Sequence, residues 1–351
     1  MGNQTSKVTS TKKISFGDKK IGSGEPTLII AEIGINHEGN SDICIEMIKA
    51  AAKAGADSIK LQTIDPDANY VRGTESHSIF TKSKLSKDET AEMFQLSRQL
   101  GLEPFTTAGD FATIDWVDQL EPAAHKISSG LFTNIPIIGY TAEKNRPLLM
   151  STGMASYNEI DEAVQEAKSK QNDQIGLFQC TSRYPAPNNS LNLSTIIALE
   201  MKYGLPAGFS DHSVGTEAAF LSIGAGAKMI EKHFTFDTSR EGFDHKLSLD
   251  YKNFSAMVKR IRQAEEMLGS PSKHVDSWEA EAGARMHRII VAISQIKAGE
   301  KLSINNIGLK RPLNPDGGLA PKHFYKIIGR TVKSDINFDE TITNNHLSEP
   351  I

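Results

Sequence analysis

The sequence predicts an α/β chain: a closed (β/α)8, or TIM, barrel followed by a small β-rich domain. Three observations carry that prediction. Short apolar runs recur from Thr27 to His233 at intervals of roughly 20 to 45 residues, the rhythm of a repeated βα unit. Helix signals fill the gaps between them. After Leu268 the rhythm stops, and short β-type pieces separated by Gly- and Pro-containing turns take over. An open, doubly wound sheet is the competing arrangement of the same alternation.

Taken in order, residues 1–26 are polar and read as a tail. Met1-Gly2-Asn3-Gln4-Thr5-Ser6 fits an acylation pattern, but the pattern is short and matches by chance. The candidate strands are 28–33, 58–62, 103–106, 125–128, 147–151, 175–180, 207–210 and 229–233. Between the first two, Ile43, Met47, Ala50, Ala51 and Ala54 fall at helical spacing. Ser86 with Glu89, and Ser156 with Glu159, are capping-box pairs that open helices. Phe254, Met257, Val258, Ile261 and Leu268 mark the eighth helix. The barrel is therefore expected over 27–268. Gly269-Ser270-Pro271-Ser272 breaks that helix and begins a linker over 269–285. Residues 286–351 form the second domain, which is too small to be strongly stable alone.

Composition narrows the function classes. The chain has 351 residues, 38% hydrophobic and 23% charged, which suits an ample globular core. No apolar run approaches the roughly 18 residues of a membrane span. The net charge is −4, with Lys and Arg spread along the chain, so nothing points to nucleic acid. Two cysteines, Cys44 and Cys180, exclude a disulfide framework and lead to the expectation of a cytoplasmic protein.

The polar residues of interest end the candidate strands, and a barrel of this kind builds its active site on that face. Lys60 and Lys126, with Ser129, Ser151 and nearby glycines, form a set able to cradle an anion. Each lysine alone reads equally well as a barrel residue paired with a carboxylate. His212 and His233 end neighbouring strands and could hold a divalent metal, or serve as one general base and one core histidine. Glu32 and Glu231 are acid–base candidates, or structural partners of the lysines. Cys180 reads as a packing residue, and Cys44 as filler in a helix. Of the other histidines, His37 and His245 are the ones expected to touch substrate.

As a set, 30–39 (IAEIGINHEG), 126–130 (KISSG), 151–154 (STGM), 208–212 (GFSDH) and 231–235 (EKHFT) resemble the sialic acid synthase family. The likeness runs from about residue 26 to the end. It implies a TIM barrel with a C-terminal antifreeze-like domain. It also implies a reaction, in which phosphoenolpyruvate condenses with the open-chain aldehyde of N-acetylmannosamine to give N-acetylneuraminate and phosphate. Relatives that make legionaminic or pseudaminic acid use other acetamido hexoses.

By the same resemblance His212 and His233 hold manganese or magnesium. Lys60, Thr107, Lys126, Ser129, Ser151, Ser182 and Ser210 hold phosphoenolpyruvate. Glu32 and Glu231 orient the sugar and the attacking water, and Tyr184 and Asp244 contact the acceptor. Arg311 matches an arginine that reaches the partner's barrel in a domain-swapped homodimer. The chain departs from the family pattern at Thr106-Thr107-Ala108-Gly109-Asp110, where Thr107 is the favoured phosphate contact, and at Ser182, where some members have Asn. Two rivals remain: a Schiff-base aldolase using Lys60 or Lys126, and a barrel that binds a sugar or an anion without catalysis.

Overall fold

The computed structural model describes residues 12–313 and 317–351. The acylation pattern at residues 1–6 lies outside them. The chain divides into two compact units at Gly269/Ser270.

The first unit opens with a hairpin, β1 (Ile14–Phe16) and β2 (Lys19–Ile21), paired antiparallel. The expected tail therefore contains structure. Ile14, Phe16 and Ile21 are buried with Leu28, Ile30, Phe105, Leu149, Phe178 and Met229 in one cluster inside the N-terminal end of the barrel. Three-residue strands with lysines between the apolar residues look like a tail by composition, yet the alternation puts each apolar side chain on one face.

From there strands and helices alternate as predicted. They are β3 (Leu28–Gly34), α1 (Ser41–Ala54), β4 (Ser58–Gln62), α2 (Pro66–Asn69), α3 (Glu75–Ser83), α4 (Lys87–Gln99), β5 (Glu103–Thr107) and α5 (Phe111–Asp118). Next come β6 (His125–Ile127), α6 (Ile135–Ala142), β7 (Leu148–Ser151), α7 (Tyr157–Ser169), β8 (Ile175–Cys180), α8 (Thr195–Tyr203), β9 (Ala207–Asp211), α9 (Glu217–Gly224), β10 (Met229–His233) and α10 (Tyr251–Leu268). Strands β3 to β10 form a closed parallel barrel, with β10 pairing back onto β3. Both predicted capping boxes, at Ser86/Glu89 and Ser156/Glu159, are formed.

Side chains alternate along each strand. Ile29, Ala31, Ile59, Leu61, Met150, Leu177, Phe209 and Ile230 pack outward with the helices. The inward set runs from apolar to polar along the chain direction: Leu28, Ile30, Glu32 on β3 and Met229, Glu231, His233 on β10. That gradient gives the barrel a dry base and a polar mouth.

The second unit begins with α11 (Ser277–Met286), a helix where a linker was expected. Its signal was present: Asp276 caps Glu279, but the helix has no buried residue, so no apolar stripe announced it. Then β11 (Ile289–Ala292) pairs antiparallel with β12 (Ile307–Lys310), and α12 (Phe324–Ile327) follows. Ile290, Ile296, Leu302, Ile307, Val332, Ile336, Ile342 and Leu347 form this unit's own core. Among the described residues no helix is long and apolar enough to cross a membrane.

Candidate active site

The polar mouth encloses a cavity of about 470 Å³. Of the residues expected to make a site, Glu32, Lys60, Thr107, Lys126, Ser129, Ser151, Ser182, Tyr184, Ser210, His212, Glu231 and His233 all line it.

Two glycines permit this convergence. Gly34 has φ +55° at a register shift between β3 and β4, and a Cβ there would come within 3.0 Å of Glu32 and 3.1 Å of Gln62. At Gly153 a Cβ would stand 2.4 Å from Ser182 Oγ and 2.6 Å from Ser129 Oγ. Only glycine leaves room for both hydroxyls beside the loop after β7, where Gly153 N–H donates to Ser129 Oγ at 3.1 Å.

At the centre lie two lysines and two glutamates, all buried. Lys126 Nζ lies 3.0 Å from both oxygens of Glu231. Lys60 Nζ is 3.3 Å from Glu231 Oε1 and 3.1 Å from Glu32 Oε2. Ser210 Oγ donates to Glu231 at 3.0 Å, and Gln62 donates to Glu32 Oε1 at 2.9 Å. Phe178, at the top of the apolar base, lies under Lys126 with 5.2 Å from Nζ to the ring centroid.

Burial lifts the Glu32 carboxyl to about 7 against the pull of Lys60. Burial also acts on Glu231, but Lys126 and Lys60 outweigh it and hold Glu231 below the usual carboxylate range. Burial disfavours the charge on Lys60, yet Glu231 and Glu32 outweigh that and raise its pKa. For Lys126, burial prevails and lowers it. Two neighbouring carboxylates are thus driven apart, one ionised and one near neutrality, the pattern of divided acid–base roles.

Three buried polar atoms of the site have no hydrogen-bond partner, Thr107 Oγ1, Ser151 Oγ and His233 Nδ1, and Glu32 Oε2 meets only the Lys60 ammonium at 3.1 Å. Buried polar groups in folded proteins are nearly always satisfied, so orphans gathered around one cavity mark the place of a ligand.

His212 and His233 lie with ring centroids 5.4 Å apart, and Tyr184 stacks on His212 at 4.2 Å. His212 Nδ1 faces the Thr181 carbonyl at 3.0 Å, which leaves the other ring nitrogen available. Burial, and then His212, hold His233 well below the usual imidazole range, so it is neutral as a ligand must be. No cluster of three or more His, Cys, Asp or Glu side chains suited to a metal occurs among the described residues. The pair therefore fits a divalent ion only as an open site that substrate or water completes.

Asp244 does not line the cavity but stands behind His233, with Oδ2 3.5 Å from Nδ1. Its main chain is held by Asn36. Arg311 is exposed in the second unit, directly after β12.

Two expectations are corrected. His37 lies beside a separate cavity of about 70 Å³, and burial drops its pKa to about 4. His245 is buried between Thr235 and Glu38. His37 accepts from the Gly39 N–H within its own loop, His245 ties two loops together, and neither lines the main cavity. Cys180 packs as expected, but at the cavity wall, 3.7 Å from His212 Nδ1. Sequence reasoning missed Asn69 at the end of α2, Tyr70 directly after it and Phe80 on α3, which all reach the cavity. Tyr70 and Phe80 stack at 5.3 Å. These residues sit on an excursion between β4 and α4, away from any strand end, so strand-end reasoning could not find them.

Known proteins resemble this chain over most of its length. A model of the NeuB family matches residues 47–273, and a SAF domain model matches 287–348. A protein of Methanocaldococcus jannaschii is 38% identical over 94% of this chain and 97% of its own length. The N,N'-diacetyllegionaminic acid synthase of Legionella pneumophila is 32% identical over 96% of this chain and 99% of its own. The crystal structure of the N-acetylneuraminic acid synthetase of Leptospira borgpetersenii superposes with a TM-score of 0.75 at 31% identity, covering 78% of this chain and 95% of that one. The chain belongs to the NeuB family: it is a carbon–carbon bond-forming synthase of the sialic acid type, with a SAF domain after its barrel.

Proposed function

We propose that this chain condenses phosphoenolpyruvate with the open-chain aldehyde of N-acetylmannosamine, giving N-acetylneuraminate and phosphate. The observation that carries the reading is the pair of buried lysines flanked by the orphaned hydroxyls of Thr107 and Ser151. A phosphate and a carboxylate on one small molecule would satisfy both lysines and both hydroxyls at once. Ser129, Ser182 and Ser210 complete that cradle.

In this reading C3 of phosphoenolpyruvate attacks the aldehyde carbon, water adds at C2, and the C2–O bond breaks to release phosphate. Glu32 holds or yields a proton near neutral pH, and ionised Glu231 orients the water and the lysines. Tyr184 flanks the acceptor from the cavity wall, and Asp244, expected beside it, stands behind His233 and acts through that ring. His212 and His233 would hold Mn²⁺ or Mg²⁺, which when bound polarises the aldehyde oxygen. Lys60 is held protonated by two carboxylates, which argues against it as the amine of a Schiff base.

A second reading has a specific observation behind it. The apolar residues of the cavity wall, Ile64, Tyr70, Phe80 and Met154, and the legionaminic acid synthase relative both favour a diacetamido hexose. Phosphate release from phosphoenolpyruvate with Mn²⁺, across a panel of N-acetylated hexoses, decides. The first reading expects release with N-acetylmannosamine, the second with the diacetamido sugar. Release with no sugar, or borohydride trapping of the chain with pyruvate, overturns both.

The same proposal makes the protein a domain-swapped homodimer in which Arg311 completes the partner's acceptor site by charge-assisted hydrogen bonds. Mixing an Arg311→Ala chain with an inactive Glu231→Ala chain tests it. Activity should partly return, because one barrel of each heterodimer combines both intact residues. No recovery after confirmed subunit exchange refutes the crossing arm.

A further inference from the structure

Asp211 and Lys232 are fully buried and face away from the cavity. They lie in the layer between barrel and helices, on the strand face that carries apolar Phe209 and Ile230. The two stand opposite each other in the pairing of β9 with β10. Lys232 Nζ lies 3.0 Å from Asp211 Oδ2 and donates to the Ser213 carbonyl at 2.5 Å. Asp211 Oδ1 accepts from the Ser213 N–H at 2.8 Å and from its hydroxyl at 2.6 Å. Both carboxylate oxygens are thereby satisfied, unlike the orphaned atoms on the other side of the wall.

A charged pair in this layer needs a reason. An apolar pair of similar volume is often as stable or more so, because desolvation cancels much of the attraction. What an apolar pair could not do is tie residue 213 across to the next strand. His212 lies between Asp211 and Ser213, and His233 follows Lys232 in the chain. The network therefore fixes the backbone on both sides of one histidine against the strand that carries the other.

We propose that Asp211, Lys232 and Ser213 form a positioning clamp, which sets the mutual aim of the His212 and His233 rings and so tunes their affinity for a divalent ion. The inference rests on the reading that these two histidines take that ion. None of the three residues touches substrate; they act through the backbone that presents the ligands.

The test titrates the full, metal-stripped chain with Mn²⁺, following free ion by electron paramagnetic resonance. Asp211→Asn and the double variant Asp211→Leu/Lys232→Met should each bind Mn²⁺ about tenfold more weakly, the usual effect of disturbing groups that orient metal ligands. Affinity for phosphoenolpyruvate without metal should fall by less than that for Mn²⁺, since its two lysines lie on β4 and β6 and only Ser210 adjoins the clamp. The double variant strands the buried N–H, hydroxyl and carbonyl of Ser213 and should melt below the parent, so weak Mn²⁺ binding with phosphoenolpyruvate affinity largely kept is what separates positioning from mere support. Asp211→Asn keeps the shape of the site should the double variant fold poorly. Parental Mn²⁺ affinity in either folded variant, with His212→Ala having lost the ion, overturns the clamp alone. Parental affinity in His212→Ala places the ion elsewhere, and the clamp then falls with the two-histidine reading.

Discussion

At the base of the barrel the inward side chains are Leu28, Ile30, Phe105, Leu149, Phe178 and Met229, packed beneath Ile14, Phe16 and Ile21 of the hairpin. At the mouth the same strands present Glu32, Lys60, Thr107, Lys126, Ser151 and Glu231, and several of their polar atoms lack partners. One end is satisfied by packing within the chain. The other is satisfied only when something else binds. Division of labour along a strand lets a barrel keep a costly, under-satisfied site without spreading that cost through its core.

Four experiments break or sharpen this contrast. The largest effect is expected at the mouth. Excess chelator, or His233→Ala, should lower turnover by at least ~1000-fold, because the ion would supply the electrophilic assistance to the aldehyde. Chelator should leave the barrel's denaturant midpoint unmoved, whereas His233→Ala also loses the ring's packing against His212 and Tyr184. Full turnover in excess chelator defeats the metal reading.

The base should behave the opposite way. Phe16 is fully buried and meets Phe105 edge to face at 5.3 Å. Phe16→Ala should cost about 3–5 kcal/mol of barrel stability in urea unfolding. Its kcat/KM at 25 °C should stay within about twofold of the parent. A large loss of activity in the folded variant would show that base and mouth are coupled.

Smaller effects follow at the orphaned hydroxyls. Ser151→Ala and Thr107→Val should each raise the KM for phosphoenolpyruvate about tenfold, the worth of one hydrogen bond to an anion. Neither should lower the melting temperature, because neither hydroxyl is bonded in the free protein. Loss of stability with unchanged KM would assign both to structure.

The smallest effect is a pH dependence at Glu32. Folding raises its pKa from 4.5 to about 7, chiefly through burial. The folded state then holds a proton that the unfolded state gives up. Its contribution to stability is intact below pH 4.5 and is lost as pH rises through 7. Relative to the parent, Glu32→Gln should therefore gain stability across that window. Any limb near pH 7 in the parent's kcat profile should vanish in the variant. A stability gap that does not change with pH overturns this account of Glu32.

Much of this was legible in the sequence because barrel strands buried on both faces are short apolar runs, and a polar residue at the end of such a run is conspicuous. Lys60, Lys126, His212, Glu231 and His233 stood out for that reason. The hairpin did not, because Ile14, Phe16 and Ile21 are separated by Ser15, Lys19 and Lys20 in strands of three residues. Nor did α11, which buries no residue. Tyr70 and Phe80 carry no local mark of function, since their approach to the cavity depends on how α2 and α3 fold over the mouth. His37 and His245 misled for the converse reason: a histidine in a motif can brace a loop as readily as meet a ligand.

The pairing of β10 with β3, Met229 opposite Leu28, joins segments about 200 residues apart, and the entropy of closing so long a loop must be overcome before the ring is whole. Arg262 of α10 reinforces that seam by reaching the Thr27 carbonyl at 2.8 Å and Asp57 at 2.6 Å. A chain emerging from the ribosome therefore carries β3 as an open edge until its last barrel strand and helix have been made. In that interval a bare strand edge can pair with a neighbour's, and newly made chains are most exposed to aggregation then.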